Sequence, residues 1–348
     1  MSADKREIGV GVIGLGFMGR THLAAYRDAN TDGHACRVVG LCDAQIERFK
    51  GEPAARGNIE KEETEPLYDP DNVRFSTDPA ELFSDPRVEL VSICTPTDTH
   101  VALAQQALEA GKHVLVEKPL ALRVDDARHL AAKSEETGRM CMPAMCMRFW
   151  PGWSWLKDTI TEGTYGPVTS AVFRRIGAPP SWSPEFYANA ARTGGALFDL
   201  HVHDADFVRY CFGEPAAVSS TGTLDHITTL YRYAKGEGPA HVVAEGGWDH
   251  SQGFEFFMGY TVIFEQATAI FALGAEDPLT LARDGKLEAI EIEKGAGYDG
   301  EVRHALGVLR GEGELRATCA EAADLIGMLE AERVSLTTGQ TVQLAASR

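Results

Sequence analysis

Three stretches of the chain carry side chains whose types and order could do chemistry together. The first is Gly14-Leu15-Gly16-Phe17-Met18-Gly19, which follows a short apolar run and opens a helical pattern. In that context each glycine has a reason. Gly14 allows a tight turn, Gly16 lets the backbone approach a pyrophosphate, and Gly19 permits close helix–strand packing. A phosphate resting there meets free N–H groups and the positive end of a helix dipole. Asp43 ends the next apolar run, where an acid can bond an adenosine ribose. Its carboxylate would accept from both ribose hydroxyls and repel a 2′-phosphate. No arginine directly follows; Ala44, Gln45 and Ile46 do. These residues predict a dinucleotide, NAD in preference to NADP, held by Gly14, Gly16, Phe17, Met18, Gly19 and Asp43.

The second stretch is Val116-Glu117-Lys118-Pro119, at the end of another apolar run. Upstream, Thr95-Pro96-Thr97-Asp98-Thr99-His100 follows a comparable run. Ligands of parallel sheets sit at the carboxyl ends of the strands, although a single lysine there reads as readily as a surface charge. The third stretch is Asp199-Leu200-His201-Val202-His203, opened by Gly194-Gly195. On a helix Asp199 and His203 share a face, and Asp206 lies one turn beyond to fix the imidazole tautomer. A histidine suits a general base near neutral pH. The same letters resemble a metal-binding Asp-x-His-x-His, but that pattern needs a strand. On a helix His201 and His203 diverge by about 200°, so no metal is expected.

These residues must be positioned by elements legible in the hydrophobic pattern. Strand-like runs at Ile8–Ile13, Arg37–Cys42, Val73–Ser76, Leu90–Cys94, His113–Val116 and Met140–Cys146 alternate with helical stretches. Such alternation implies a doubly wound parallel sheet of Rossmann type over residues 1–147. Beyond Arg148 the pattern changes. A strand at Val168–Arg175, a helix over Gly195–Phe212, β-rich runs between 216 and 292, and helices near 299–310 and 319–337 predict a second domain, 148–348. Its class is α+β, with a large open and mostly antiparallel sheet. Trp248 and the strand Phe254–Phe257 read as core or as a sheet face shared by two copies, with the shared face preferred.

The composition excludes several partners. A formal net charge of −18 argues against nucleic acid and anionic membrane surfaces. No apolar stretch reaches the roughly 20 residues that span a bilayer. The seven cysteines are odd in number and contain no Cys-x-x-Cys, which fits a reducing compartment. The opening MSADKREIG has no apolar signal core. The cytoplasm is therefore expected.

Taken together, the glycine motif, Thr95-Pro96 with His100, Gly111-Lys112-His113, Glu117-Lys118-Pro119, Arg148-Phe149, and Gly194-Gly195 with Asp199 and His203 resemble the Gfo/Idh/MocA family of oxidoreductases. The resemblance runs over most of the chain, to Ser335 and Gly339. It implies an NAD(P)-dependent dehydrogenase acting on a secondary alcohol of a sugar, inositol or related polyol. It places Thr95, Pro96, His100, Glu117, Lys118 and Arg148 at the cofactor. It makes Lys118, Asp199 and His203 the catalytic group, with either Lys118 or His203 as proton acceptor. Lys118 would steady negative charge developing on the substrate oxygen. Trp182, Arg192 and Tyr298 are weaker substrate candidates; Trp182 and Arg192 lie in a loop that could cover a sugar, beside Tyr187 and Asn189. A homodimer or homotetramer built through the second domain's sheet is implied. Two other readings remain open: an NAD-dependent glycoside hydrolase of the same fold, and a non-catalytic NAD-binding sensor.

Overall fold

The structure, a computed structural model, describes residues 6–50, 66–181 and 183–344. Trp182 and the acidic run 60–65 lie outside the described residues. The chain divides into two compact units. One comprises Met1–Cys146, Ser181–Pro184 and Ala296–Ala323; the other comprises Met147–Pro180, Glu185–Gly295 and Asp324–Arg348.

The first unit is built on six parallel strands: β1 (Ile8–Ile13), β2 (Cys36–Cys42), β3 (Arg74–Ser76), β4 (Leu90–Ile93), β5 (His113–Glu117) and β6 (Cys141–Ala144). Their spatial order is β3-β2-β1-β4-β5-β6. Ile8, Val10, Val12, Leu90, Val91, Ile93, Val114, Leu115 and Val116 are fully buried. A central strand covered on both faces requires such continuous apolar runs. Helices α1 (Phe17–Thr31), α2 (Pro79–Ser84), α3 (His100–Glu109) and α4 (Val124–Thr137) make the crossovers. Strand order reverses between β1 and β4, which opens a crevice at their carboxyl ends. Gly14, Asp43, Thr95 and Lys118 all stand just beyond strand carboxyl ends at this edge.

The second unit carries a nine-stranded sheet. Its strands are β7 (Val168–Ile176), β8 (Ala217–Gly222), β9 (His226–Arg232), β10 (His241–Gly247), β11 (Phe257–Phe264), β12 (Thr268–Ala272), β13 (Leu279–Arg283), β14 (Lys286–Ala289) and β15 (Val342–Gln343). The order is β14-β13-β12-β11-β7-β10-β9-β8-β15. Among the described residues of this sheet, only β7 and β10 pair in parallel. One face is covered by α5 (Pro151–Glu162) and, after two short turns α6 (Pro184–Tyr187) and α7 (Ala190–Thr193), by α8 (Gly195–Asp199) and α9 (Val202–Phe212). Trp153 anchors that core, its ring 5.7 Å from Phe173, 4.8 Å from Phe207 and 5.4 Å from Tyr260. The alternating positions Val172, Ile263 and Ile270 point the other way and stay exposed.

Three features depart from the sequence reading. The helix expected over Gly195–Phe212 is broken at Leu200–His201. The His201 N–H reaches back to the Ala196 carbonyl at 2.8 Å, a widened turn of π type. Trp248 does not sit on an exposed sheet face: it is buried, its indole N–H donating to Asp225 at 2.9 Å and its ring 5.5 Å from Tyr187. Finally, α10 (Gly297–Leu309) returns to the first unit and packs along α1, while α11 (Cys319–Thr338) starts in the first unit and ends in the second.

Candidate active site

In the turn after β1 the three glycines stand in different surroundings. Gly14 has φ of 87°, and a Cβ there would lie 2.6 Å from the Cys94 carbonyl oxygen. A Cβ on Gly19 would lie 1.8 Å from the Gly14 carbonyl oxygen, so α1 can start this close to β1 only with glycine. Gly16 differs. Around its added Cβ the nearest atom is the Arg48 guanidinium at 3.8 Å. Gly16 is also the N-cap of α1 and offers no capping side chain, which leaves the first N–H groups for a ligand. This open cradle fits a dinucleotide pyrophosphate.

Asp43 is buried and heavily engaged. Its Oδ2 accepts from the Leu15 N–H at 2.7 Å and from Arg48 at 3.1 Å; its Oδ1 accepts from the Gln45 N–H at 2.8 Å. Asp43 therefore ties the second strand to the phosphate turn. Arg48 was missed in the sequence because it follows Asp43 by five positions. The short 3₁₀ turn Ile46–Lys50 brings it back.

Around Lys118 the structure shows a buried chain of polar groups. Glu117 Oε1 accepts from His22 Nε2 at 3.0 Å and its Oε2 accepts from the Lys118 N–H at 3.1 Å. His22 Nδ1 lies 3.2 Å from Ser92 Oγ, which lies 2.7 Å from the Tyr26 hydroxyl. One donor order satisfies every group: Tyr26 to Ser92, Ser92 to His22, His22 to Glu117. Burial raises the Tyr26 phenol far above its ordinary value and keeps it a donor. Burial alone would also raise Glu117, but the His22 hydrogen bond and the Lys118 charge bring it below the usual carboxylate value. His22 and Tyr26 are four apart on α1, a polar pair on a buried face, and that spacing was the available sequence signal. Lys118 itself is half-buried at the end of β5, ahead of a cis peptide to Pro119.

His100 acts from behind. Its Nδ1 lies 2.9 Å from the Pro119 carbonyl and its Nε2 lies 2.8 Å from the Thr95 carbonyl. Burial lowers its pKa against the pull of both carbonyls. The ring thus clamps the loop after β4 to the loop after β5. Thr95 adds a bond of 2.6 Å to Thr99, and Pro96 stays exposed. Phe17 and Met18 open α1 half-buried, and Tyr298 is half-buried in the first turn of α10.

In the second unit, Asp199 ends α8 and His203 lies in the first turn of α9, both half-buried. His201, between them, is fully buried. Its Nε2 lies 2.9 Å from Glu332 and 3.1 Å from the Tyr231 hydroxyl, and Thr229 donates to the same Glu332 oxygen at 2.9 Å. That anchor sits at the break between α8 and α9. Asp206, offered by the sequence as the orienter of His203, has both oxygens accepting from Arg148, at 2.9 and 2.6 Å. Arg148 is almost fully buried and stacks 4.7 Å over Tyr210. Arg175 and Asp204 make a second buried fork at 3.0 and 3.1 Å, joining α9 to β7. Arg192 lies over Phe186, whose ring meets Tyr187 at 5.2 Å. Lys118 belongs to the first unit, Asp199 and His203 to the second.

Comparison with known proteins gives the same frame. Residues 8–145 match the oxidoreductase family with NAD-binding Rossmann fold, and residues 153–269 match the GFO/IDH/MocA C-terminal domain. Among curated relatives, scyllo-inositol 2-dehydrogenase (NAD(+)) of Bacillus subtilis is 37% identical over 43% of this chain and 43% of its own length. Myo-inositol 2-dehydrogenase of Thermotoga maritima is 30% identical over 59% of this chain and 55% of its own. These matches span about half the length of the curated relatives. Among solved structures, levoglucosan dehydrogenase in complex with NADH and levoglucosan superposes with a TM-score of 0.79 at 21% identity, over 97% of this chain and 99% of that one. GenD2 from gentamicin A biosynthesis, in complex with NAD, gives 0.81 at 23% identity over 99% of each. At such identities the superpositions speak for the fold. Two consecutive family matches, a strand order reversing at the glycine turn and a sheet of the expected kind lead to one conclusion: the chain belongs to the Gfo/Idh/MocA family of oxidoreductases.

Proposed function

We propose that this protein is an NAD-dependent dehydrogenase that interconverts a secondary alcohol and a ketone on a sugar, inositol or related polyol. The observation that carries the reading is Glu117, fixed by His22 and by the Lys118 backbone N–H, with Lys118 next to it at the carboxyl end of β5, beside the switch point of a dinucleotide-binding sheet. Gly14–Gly19, Asp43, Thr95, Pro96 and Arg148 are the residues we assign to holding the dinucleotide, with His100 and Glu117 fixing the loops they stand on. When bound, NAD supplies the hydride acceptor. The Lys118 ammonium holds the substrate oxygen and stabilises the charge that develops on it. We assign the hydroxyl proton to His203, or to Lys118 when that side chain is the neutral amine, and count Asp199 in the catalytic group. Arg192 and Tyr298, with Trp182, are assigned to the substrate.

Asp43 supports NAD over NADP, while Arg48 beside it supplies the positive charge a 2′-phosphate would need. The first unit is assigned to the nucleotide, the second to substrate and self-association through its open sheet face. Among the described residues no helix is long and apolar enough to cross a membrane. The seven cysteines, none in a disulfide among the described residues, support a reducing, cytoplasmic setting.

The test is absorbance of reduced nicotinamide with NAD or NADP against inositols, aldoses, sugar acids and anhydrosugars, with Lys118→Ala alongside. A rise with NAD that the variant loses supports the proposal. Faster turnover with NADP corrects the cofactor choice. Binding of NAD without redox turnover, but with product release from a glycoside, replaces dehydrogenation by a hydrolase cycle. Absence of NAD binding overturns the reading.

A further inference from the structure

We infer that His226, Asp249 and His250 form a site for one divalent transition cation of the zinc class, which fastens the loop after β10 to the start of β9. The inference does not depend on the proposed dehydrogenase. Among the described residues, these three bring one ligand atom each to within 4.8 Å of one another. His226 Nδ1 lies 2.6 Å and His250 Nδ1 lies 3.7 Å from Asp249 Oδ1. Two ligand atoms on a tetrahedral zinc stand about 3.3 Å apart, given metal–ligand bonds of about 2.0–2.1 Å. The two observed distances straddle that value, so small side-chain rotations seat an ion. The two imidazoles are stacked, centroids 5.6 Å apart and planes 29° from parallel.

Three further observations separate this cluster from a chance surface grouping. First, His226 has an outer partner: its Nε2 lies 3.1 Å from Glu245 Oε1, and Arg174 holds Glu245 at 2.7 Å. A ligating histidine whose second nitrogen bonds a fixed carboxylate is the usual support of a metal site, since it fixes ring orientation and raises ligand basicity. Second, His250 Nδ1 is shielded from solvent and has no hydrogen-bond partner among the described residues. Third, the backbone is pinned: Gly177 N–H bonds Gly247 O at 2.9 Å, His250 N–H bonds Gly177 O at 3.3 Å, and Trp248 N–H bonds Asp225 O at 3.0 Å. Gly247 leaves room for the His226 ring, whose Cγ would lie 2.7 Å from a Cβ there. Two nitrogens and one carboxylate suit a borderline-soft ion of the zinc class. The partial exposure of all three ligands leaves a fourth position for water. Asp249 and His250 directly follow Trp248, which packs on Tyr187, so an ion here stiffens the same loop corner that Tyr187 leans on.

The experiment uses full-length protein stripped with a chelator and titrated calorimetrically with zinc chloride. Wild type is expected to bind one equivalent with micromolar or tighter affinity. His250→Ala and His226→Gln should each weaken binding tenfold or more, and zinc should raise the wild-type melting temperature but not theirs. His250→Ala changes a partly exposed side chain and carries the test should His226→Gln fold poorly. Binding in wild type no tighter than in His250→Ala, or absence of zinc binding, overturns the proposal; neither outcome bears on NAD binding.

Discussion

Glu117 and Glu301 are buried carboxyls of the first unit with opposite fates. Glu117 is held charged by His22, whereas both Glu301 oxygens lack a hydrogen-bond partner among the described residues and burial, reinforced by Glu117, pushes its pKa well above 4.5. A raised carboxyl destabilises the folded state as pH climbs above its unfolded value. Glu301→Gln should therefore match wild type near pH 4.5 and become the more stable protein above it, by up to about 1.4 kcal/mol per pH unit until the folded pKa is passed. Urea unfolding across that range checks it; a constant gap would show Glu301 to be ionised. Removing the donor to Glu117 has the opposite sign: His22→Ala should cost about 3–5 kcal/mol at neutral pH, as loss of one partner of a buried charge does, read by the same unfolding curves. At this scale the sequence was informative where chemistry is local. Gly14 and Gly19 could be assigned roles from their neighbours alone. Ser92 and Glu301 could not, because Tyr26 and Glu117 meet them only through the folded sheet, and Arg48 needed the 3₁₀ turn that returns it to Asp43.

The elements repeat that lesson. The strands ending at Ile13, Cys42, Ile93 and Glu117 were legible because a parallel strand buried on both faces must be an unbroken apolar run. The break between α8 and α9 was not; the residue there, His201, is bound to Glu332, 131 positions away. The turn between β1 and α1 yields a paired prediction. Gly16→Ala should leave folding within a few tenths of a kcal/mol, because its Cβ meets only the Arg48 tip, yet raise the NAD dissociation constant tenfold or more. Gly19→Ala places a Cβ against the Gly14 carbonyl oxygen and should cost about 3 kcal/mol or more. Calorimetric NAD titration beside thermal melts distinguishes them; equal effects on both readouts would refute the assignment of Gly16 to the phosphate.

For the whole molecule, the second unit presents Val172, Ile263 and Ile270 on adjacent strands β7, β11 and β12, exposed on the face opposite the helices. Apolar side chains gathered on one sheet face support the self-association proposed above. Ile263→Lys should convert an oligomer to monomer in light scattering while leaving the fold intact; a monomeric wild type would remove the proposal. The sequence suggested a single cut near 147, because nothing in residues 296–323 announces to which sheet they return. That return has a practical corollary. Val302, Ala305 and Leu306 of α10 are fully buried in the unit where α1 lies, although they follow it by more than 270 positions. A gene fragment ending near 147 would thus encode a nucleotide fold stripped of one wall. Expressed alone it should be sticky and short-lived, and a synthetic peptide carrying Gly297–Leu309, supplied in trans, should restore its solubility.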